Sequence, residues 1–103
     1  MSEEFKREID AAIETDDPDE LLSAVIDIAM AADDVAWATE RLLALVRHSD
    51  TDVRGNALIA FTHLAGRFET IDLTRVLPVV RAALQDPERH VREQAEAALE
   101  ELE

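Results

Sequence analysis

The sequence predicts an all-α fold: a short α-solenoid of about six helices in three antiparallel pairs. Three observations carry this expectation. First, a segment occurs twice: residues 50–64 read DTDVRGNALIAFTHL and residues 88–102 read ERHVREQAEAALEEL. At a constant offset of 38 residues, Val53-Arg54 aligns with Val91-Arg92, Ala57 with Ala95, Ala60 with Ala98, Phe61 with Leu99 and Leu64 with Leu102. A fixed offset near 40 residues, with apolar positions in register, marks a stacked helical repeat. Second, two Gly and three Pro in 103 residues leave little turn chemistry for a sheet. Third, the aromatics are only Trp37, Phe5, Phe61 and Phe68, so a core must be built from Leu, Ile, Val and Ala.

Each helix is legible from period and punctuation. The first spans about residues 2–15, with Ser2 as N-cap and Phe5, Ile9, Ala12 and Ile13 as its apolar stripe. The second begins at Pro18, a favoured first-turn residue, and runs to about Ala32. Apolar on almost every side, it is expected to be the most buried helix. The third starts after Asp33 or Asp34 and ends near His48. The fourth starts after Thr51 or Asp52 and reaches about Arg67, with Gly66 as a C-terminal cap. The fifth covers about Asp72 to Gln85, with Pro78 kinking it or shifting its start. The sixth runs from Pro87 to the end. Short linkers make consecutive helices antiparallel neighbours. Residues 1–103 thus form one domain, with pairs over 1–33, 34–67 and 72–103.

Charge narrows the function. The net charge is −14, unevenly spread: residues 1–52 hold 15 acids and 4 bases, whereas 53–103 hold 9 acids and 6 bases. A field of this sign repels nucleic acid and attracts basic proteins. Without Cys there is no disulfide or thiolate metal site. The charged start does not resemble a signal peptide, and LLSAVIDIAMAA is about half a membrane span. A soluble, cytoplasmic, membrane-free protein is expected.

Catalytic constellations are not evident. His48, His63 and His90 stand outside any HExxH or diiron spacing, and no metal or cofactor is expected. His48 falls at a helix end, where free carbonyls are the expected partners. Asp16-Asp17 and Asp33-Asp34 sit where helix caps explain them. Ser2, Ser23 and Ser49 lack a nucleophile-elbow context. Arg54 and Arg92 are expected to bond acids or carbonyls between repeats. The chain does not read as an enzyme.

On the fourth helix, 100° per residue puts Val53, Ala57, Ala60, Phe61 and Leu64 on one side, and Gly55, Ile59, Thr62, His63 and Gly66 on the other. The matching far side of the sixth helix carries Glu93, Ala97, Glu100 and Glu101. Ile59 fits either packing on an adjacent repeat or contact with a partner.

These residues resemble HEAT repeats, in which the second helix of a pair often opens with an acid followed by Val-Arg. Asp50-Thr51-Asp52-Val53-Arg54 and Asp86 to Val91-Arg92 follow that pattern, and Pro78 inside a first helix is familiar from the family. The likeness covers residues 34–103. In 1–33, Leu22-Ser23 replaces Val-Arg, as in an atypical capping pair. Arg54-Gly55-Asn56, His63 and Leu64-Ala65-Gly66-Arg67 further resemble small bacterial HEAT-type immunity proteins, which accompany polymorphic or contact-dependent growth inhibition toxins.

That resemblance implies a protein, monomeric when free, that binds and neutralises a basic toxin domain, often a nuclease, by covering its active-site cleft. Candidate contacts are Asp33, Asp34, Trp37, Asn56, Ile59, His63, Glu93, Glu100 and Glu101. Trp37, near the acidic start of the third helix, fits a core position equally well. The alternatives are a generic HEAT scaffold or adaptor, and an accessory akin to helical-repeat lyases, for which no acid/base constellation is present.

Overall fold

The computed structural model describes residues 2–103. They form six helices: α1 (Glu3–Thr15), α2 (Pro18–Ala31), α3 (Val35–Leu45), α4 (Thr51–Arg67), α5 (Leu73–Ala82) and α6 (Arg89–Leu102). A 3-10 turn, Ala83–Gln85, follows α5, and there is no strand among the described residues. The class is all-α.

Local side chains set where the helices begin. Ser2 Oγ accepts from the Phe5 amide, Asp17 from Glu20, Asp34 from Trp37, and Asp50 from both Asp52 and Val53. Such a cap satisfies amides the helix leaves open and contributes about 1 kcal/mol. The acids in the linkers therefore have structural work as caps. α1 ends at Asp16, whose φ of 61° is left-handed, a conformation Asp tolerates better than most residues.

The helices form two layers. In one, α2, α4 and α6 lie side by side, with α4 packed against both neighbours and against α3. Arg67, at the end of α4, donates to the carbonyls of Ala29 and Ala32 at the end of α2, at 2.9 and 2.6 Å. At the opposite end, His90 of α6 stands 3.7 Å from Asp52 of α4. The three helices therefore run in one direction. In the second layer, Lys6–Asp34, Asp10–Arg41 and Asp16–His48 step along α1 and α3 in register, and Glu40–Arg75 joins α3 to α5. These helices also share a direction, opposite to the first layer because each linker is short. The slab measures 35 × 30 × 17 Å.

The repeat seen in the sequence is a repeat of burial. Val53, Ala57, Ala60 and Leu64 are buried on α4, and Val91, Ala95, Ala98 and Leu102 occupy the same positions on α6. Phe61 is fully buried, while its counterpart Leu99 is only half-buried.

Four expectations need correction. α4, with helices on both flanks, is the most enclosed helix; α2 ends the layer and leaves Ile26 and Met30 exposed. Gly66 is not a cap: α4 continues through Arg67 and ends at Phe68 in an extended conformation. Pro78 does not move the start of α5; the helix runs through it and tightens to a 3-10 turn from Ala83. α6 starts not at Pro87 but at Arg89, with Glu88 at the N-cap position.

Candidate interaction surface

The start of α3 is a densely bonded corner. Asp34 caps the helix through the Trp37 amide at 3.1 Å and takes a 3.0 Å bond from Lys6. The Trp37 amide first, then Lys6, hold its carboxyl below the usual carboxylate range. Asp33 lies exposed beside it. Trp37 is half-buried and edge-on to Phe5, with ring centroids 6.0 Å apart. Lys6 and Arg41 stand 5.8 and 5.3 Å from its ring, within cation–π range. Trp37 thus fastens α1 to α3. Beyond it, a cavity of about 360 Å³ opens between α3 and α5, lined in part by Trp37, Arg41, Asp72 and Arg75.

A second surface is the outer face of the α2–α4–α6 layer. On α4, Asn56 and His63 are exposed and Ile59 is half-buried against the core. The Asn56 amide donates to the Asp52 carbonyl at 2.8 Å. A Cβ at Gly55 would stand 3.3 Å from Gln94 and from His90, so Gly55 permits the close approach of α6. On α6, helical spacing puts Glu93 and Glu100 on the free flank and turns Glu101 about 100° toward α4. All three are exposed, and Arg89 pairs with Glu93 at 3.2 Å.

The structure therefore brings Asn56, Ile59, His63 and Glu101 to one face and sets Glu93 and Glu100 at its edge. Asp33, Asp34 and Trp37 form a separate corner, at the end of the molecule where Arg67 grips the last turn of α2. The sequence reading missed Ile26 and Met30, the large apolar side chains exposed at 58% and 62%. A usable signal existed: a helix apolar on every side, placed at the end of a stack, has more apolar surface than neighbours to cover it.

The remaining charged residues are chiefly structural. Arg54 makes a two-pronged bond to Asp86, 3.0 Å on each arm, and donates to the carbonyls of His48 and Ser49. Arg92 donates to the Asp86 carbonyl at 2.7 Å, so the repeated arginines converge on one loop; Arg54 bonds between repeats as expected, whereas Arg92 bonds within its own pair. Burial pushes the Asp86 carboxyl up, but Arg54, the Glu88 amide and Arg92 outweigh it and leave it lowered. His48 departs from expectation. Its Nδ1 accepts from the Asp50 amide, and its Nε2 contacts the Asp16 carboxylate rather than carbonyls.

Among the described residues, no group of His, Asp or Glu could hold a metal ion, and no helix is long and apolar enough to cross a membrane. Each buried side-chain nitrogen or oxygen among them has a hydrogen-bond partner. What the outer face offers is contact: an apolar centre with acids around it.

No protein-family model matches the chain, and no curated protein does. Among solved structures, it is similar to a chain in the crystal structure of a CDI complex from Cupriavidus taiwanensis LMG 19424. The two are 26% identical, with a TM-score of 0.84, over 93% of this chain and 85% of that one.

Proposed function

We propose that this chain is an immunity protein that binds a cognate toxin domain and neutralises it by covering a basic active-site cleft. The observation that carries the reading is the likeness to a chain of a CDI complex, over nearly the whole length of both. Read as contact-dependent growth inhibition, CDI agrees with the resemblance drawn from Arg54-Gly55-Asn56 and Leu64-Ala65-Gly66-Arg67. On this reading the two layers are three HEAT-like pairs. The protein works in the cytoplasm as a monomer, without catalysis or cofactor.

The mechanism is steric and electrostatic. A cleft built to receive phosphates is rich in Lys and Arg. A protein of net charge −14 meets such a cleft quickly, excludes substrate while it stays, and associates more slowly as salt rises.

The test is co-expression with the product of the gene immediately upstream. Restored growth and a stoichiometric complex on gel filtration are the expected results. Continued killing with no complex would overturn the reading in favour of a scaffold for another protein.

A further inference from the structure

Ile26 and Met30 lie four residues apart on one side of α2, exposed on a helix whose other large apolar side chains are buried or partly so. α2 carries Asp19, Glu20 and Asp27 and no basic residue. Of the two arginines of α4, Arg54 is turned to Asp86, and Arg67, though exposed, is held by the carbonyls of Ala29 and Ala32 at the end of α2. Asp27 is exposed on α2, and Asp52 and Glu101 are exposed on α4 and α6 of the same layer, Asp52 standing 3.7 Å from His90. Apart from Arg67, the exposed cations stand elsewhere: Arg7 on α1, Arg47 after α3, Arg75 and Arg81 on α5, and Arg89 at the start of α6.

From this segregation we infer that the Ile26–Met30 patch is the apolar centre of the partner contact. Its occupant is a basic protein surface that sets an apolar side chain on the patch and its own cations over Asp27, Asp52 and Glu101. The inference rests on the proposed function and names the face that performs it. Charge complementarity selects the occupant. A nucleic acid would meet carboxylates, and a second copy would press two like-charged faces together. An apolar centre inside a polar rim is also where binding energy concentrates in protein contacts, with the charges governing the encounter rate.

The roles separate in kinetics. The paired neutral substitution Ile26→Ser, Met30→Gln leaves the charge unchanged. Surface-plasmon binding to the product of that upstream gene should show an association rate within about threefold of wild type and dissociation at least 30-fold faster. Asp27→Lys with Glu101→Lys should do the reverse at low salt, slowing association tenfold or more. Both pairs are exposed, and circular dichroism melts confirm that each variant folds.

Wild-type dissociation in the Ser/Gln variant would overturn the inference while leaving the immunity reading intact. No binding by the wild-type chain would overturn both. A free protein that sediments as a dimer, and as a monomer once Ile26 and Met30 are replaced, would assign the patch to a second copy and overturn the inference.

Discussion

Between α2, α4 and α6 the helices meet closely, through buried small residues such as Gly55, Ala57, Ala60 and Ala95 with Phe61 and Leu58 between them. Between α1, α3 and α5 the backbones stand apart, and long polar side chains span the gap: Lys6 to Asp34, Arg41 to Asp10, Arg75 to Glu40. Small residues let helices approach until dispersion and apolar burial hold them. Where larger residues and an aromatic keep them apart, water enters and exposed charges contribute little. One fold thus contains a close layer that supplies stability and an open layer that tolerates change.

The largest effect should come from the close layer. Phe61→Ala removes a fully buried ring, at a cost of about 3–5 kcal/mol. Trp37→Ala, in the open layer, removes a larger ring that is only half-buried. Urea melts should put its cost at less than half that of Phe61→Ala. Equal costs would end the distinction between the layers.

Next comes the link to the loop before α6. Arg54 and Asp86 are paired with side chains only 14% and 12% exposed. Arg54→Ala leaves Asp86 nearly enclosed without its partner and should cost about 2–4 kcal/mol. The pH dependence follows from the lowered Asp86 carboxyl. A carboxylate with a depressed folded pKa contributes stability that is present above its unfolded value, near about 4, and is lost as pH falls through the folded value. Wild type should lose stability in that acidic window, and Arg54→Ala should lose less. Parallel curves for the two proteins would place the acid sensitivity elsewhere.

The sequence carried this architecture where the cause was local or periodic. Ser2, Asp17 and Asp34 cap within three residues of themselves, and the 38-residue offset gave the core positions of α4 and α6, although Asp50 rather than Thr51 or Asp52 precedes α4. It failed where the cause lies across the fold. Gly66 resembles a cap in sequence, yet α4 runs on through Arg67, whose side chain grips Ala29 and Ala32, more than 30 residues away. A Cβ at Gly66 would meet nothing within 4 Å, so Gly66→Ala should raise stability by about 0.5–1 kcal/mol. A cap in the left-handed conformation would instead make that change destabilising. Ile26 and Met30 were misread for the same reason: exposure on α2 depends on which helices stand beside it. Of the candidate contacts, the exposure of His63 and Glu101 was legible from spacing, whereas the bonding of Asp34 and Trp37 to α1 was not.

The smallest effect is expected for Glu40→Ala. Glu40 and Arg75 bridge α3 and α5 with both side chains about half exposed, 50% and 51%. The Arg75 guanidinium holds the Glu40 carboxyl below its ordinary value. Water and salt screen such a pair, and two long side chains must be ordered to form it. The change in midpoint should be small, and smaller still in 0.5 M salt, where about 4 Å of screening length remains. A loss approaching that of Arg54→Ala would mean that the bridges set the spacing of α3 and α5. The open layer would then be as constrained as the close one, and the cavity between those helices would be a maintained feature of the fold.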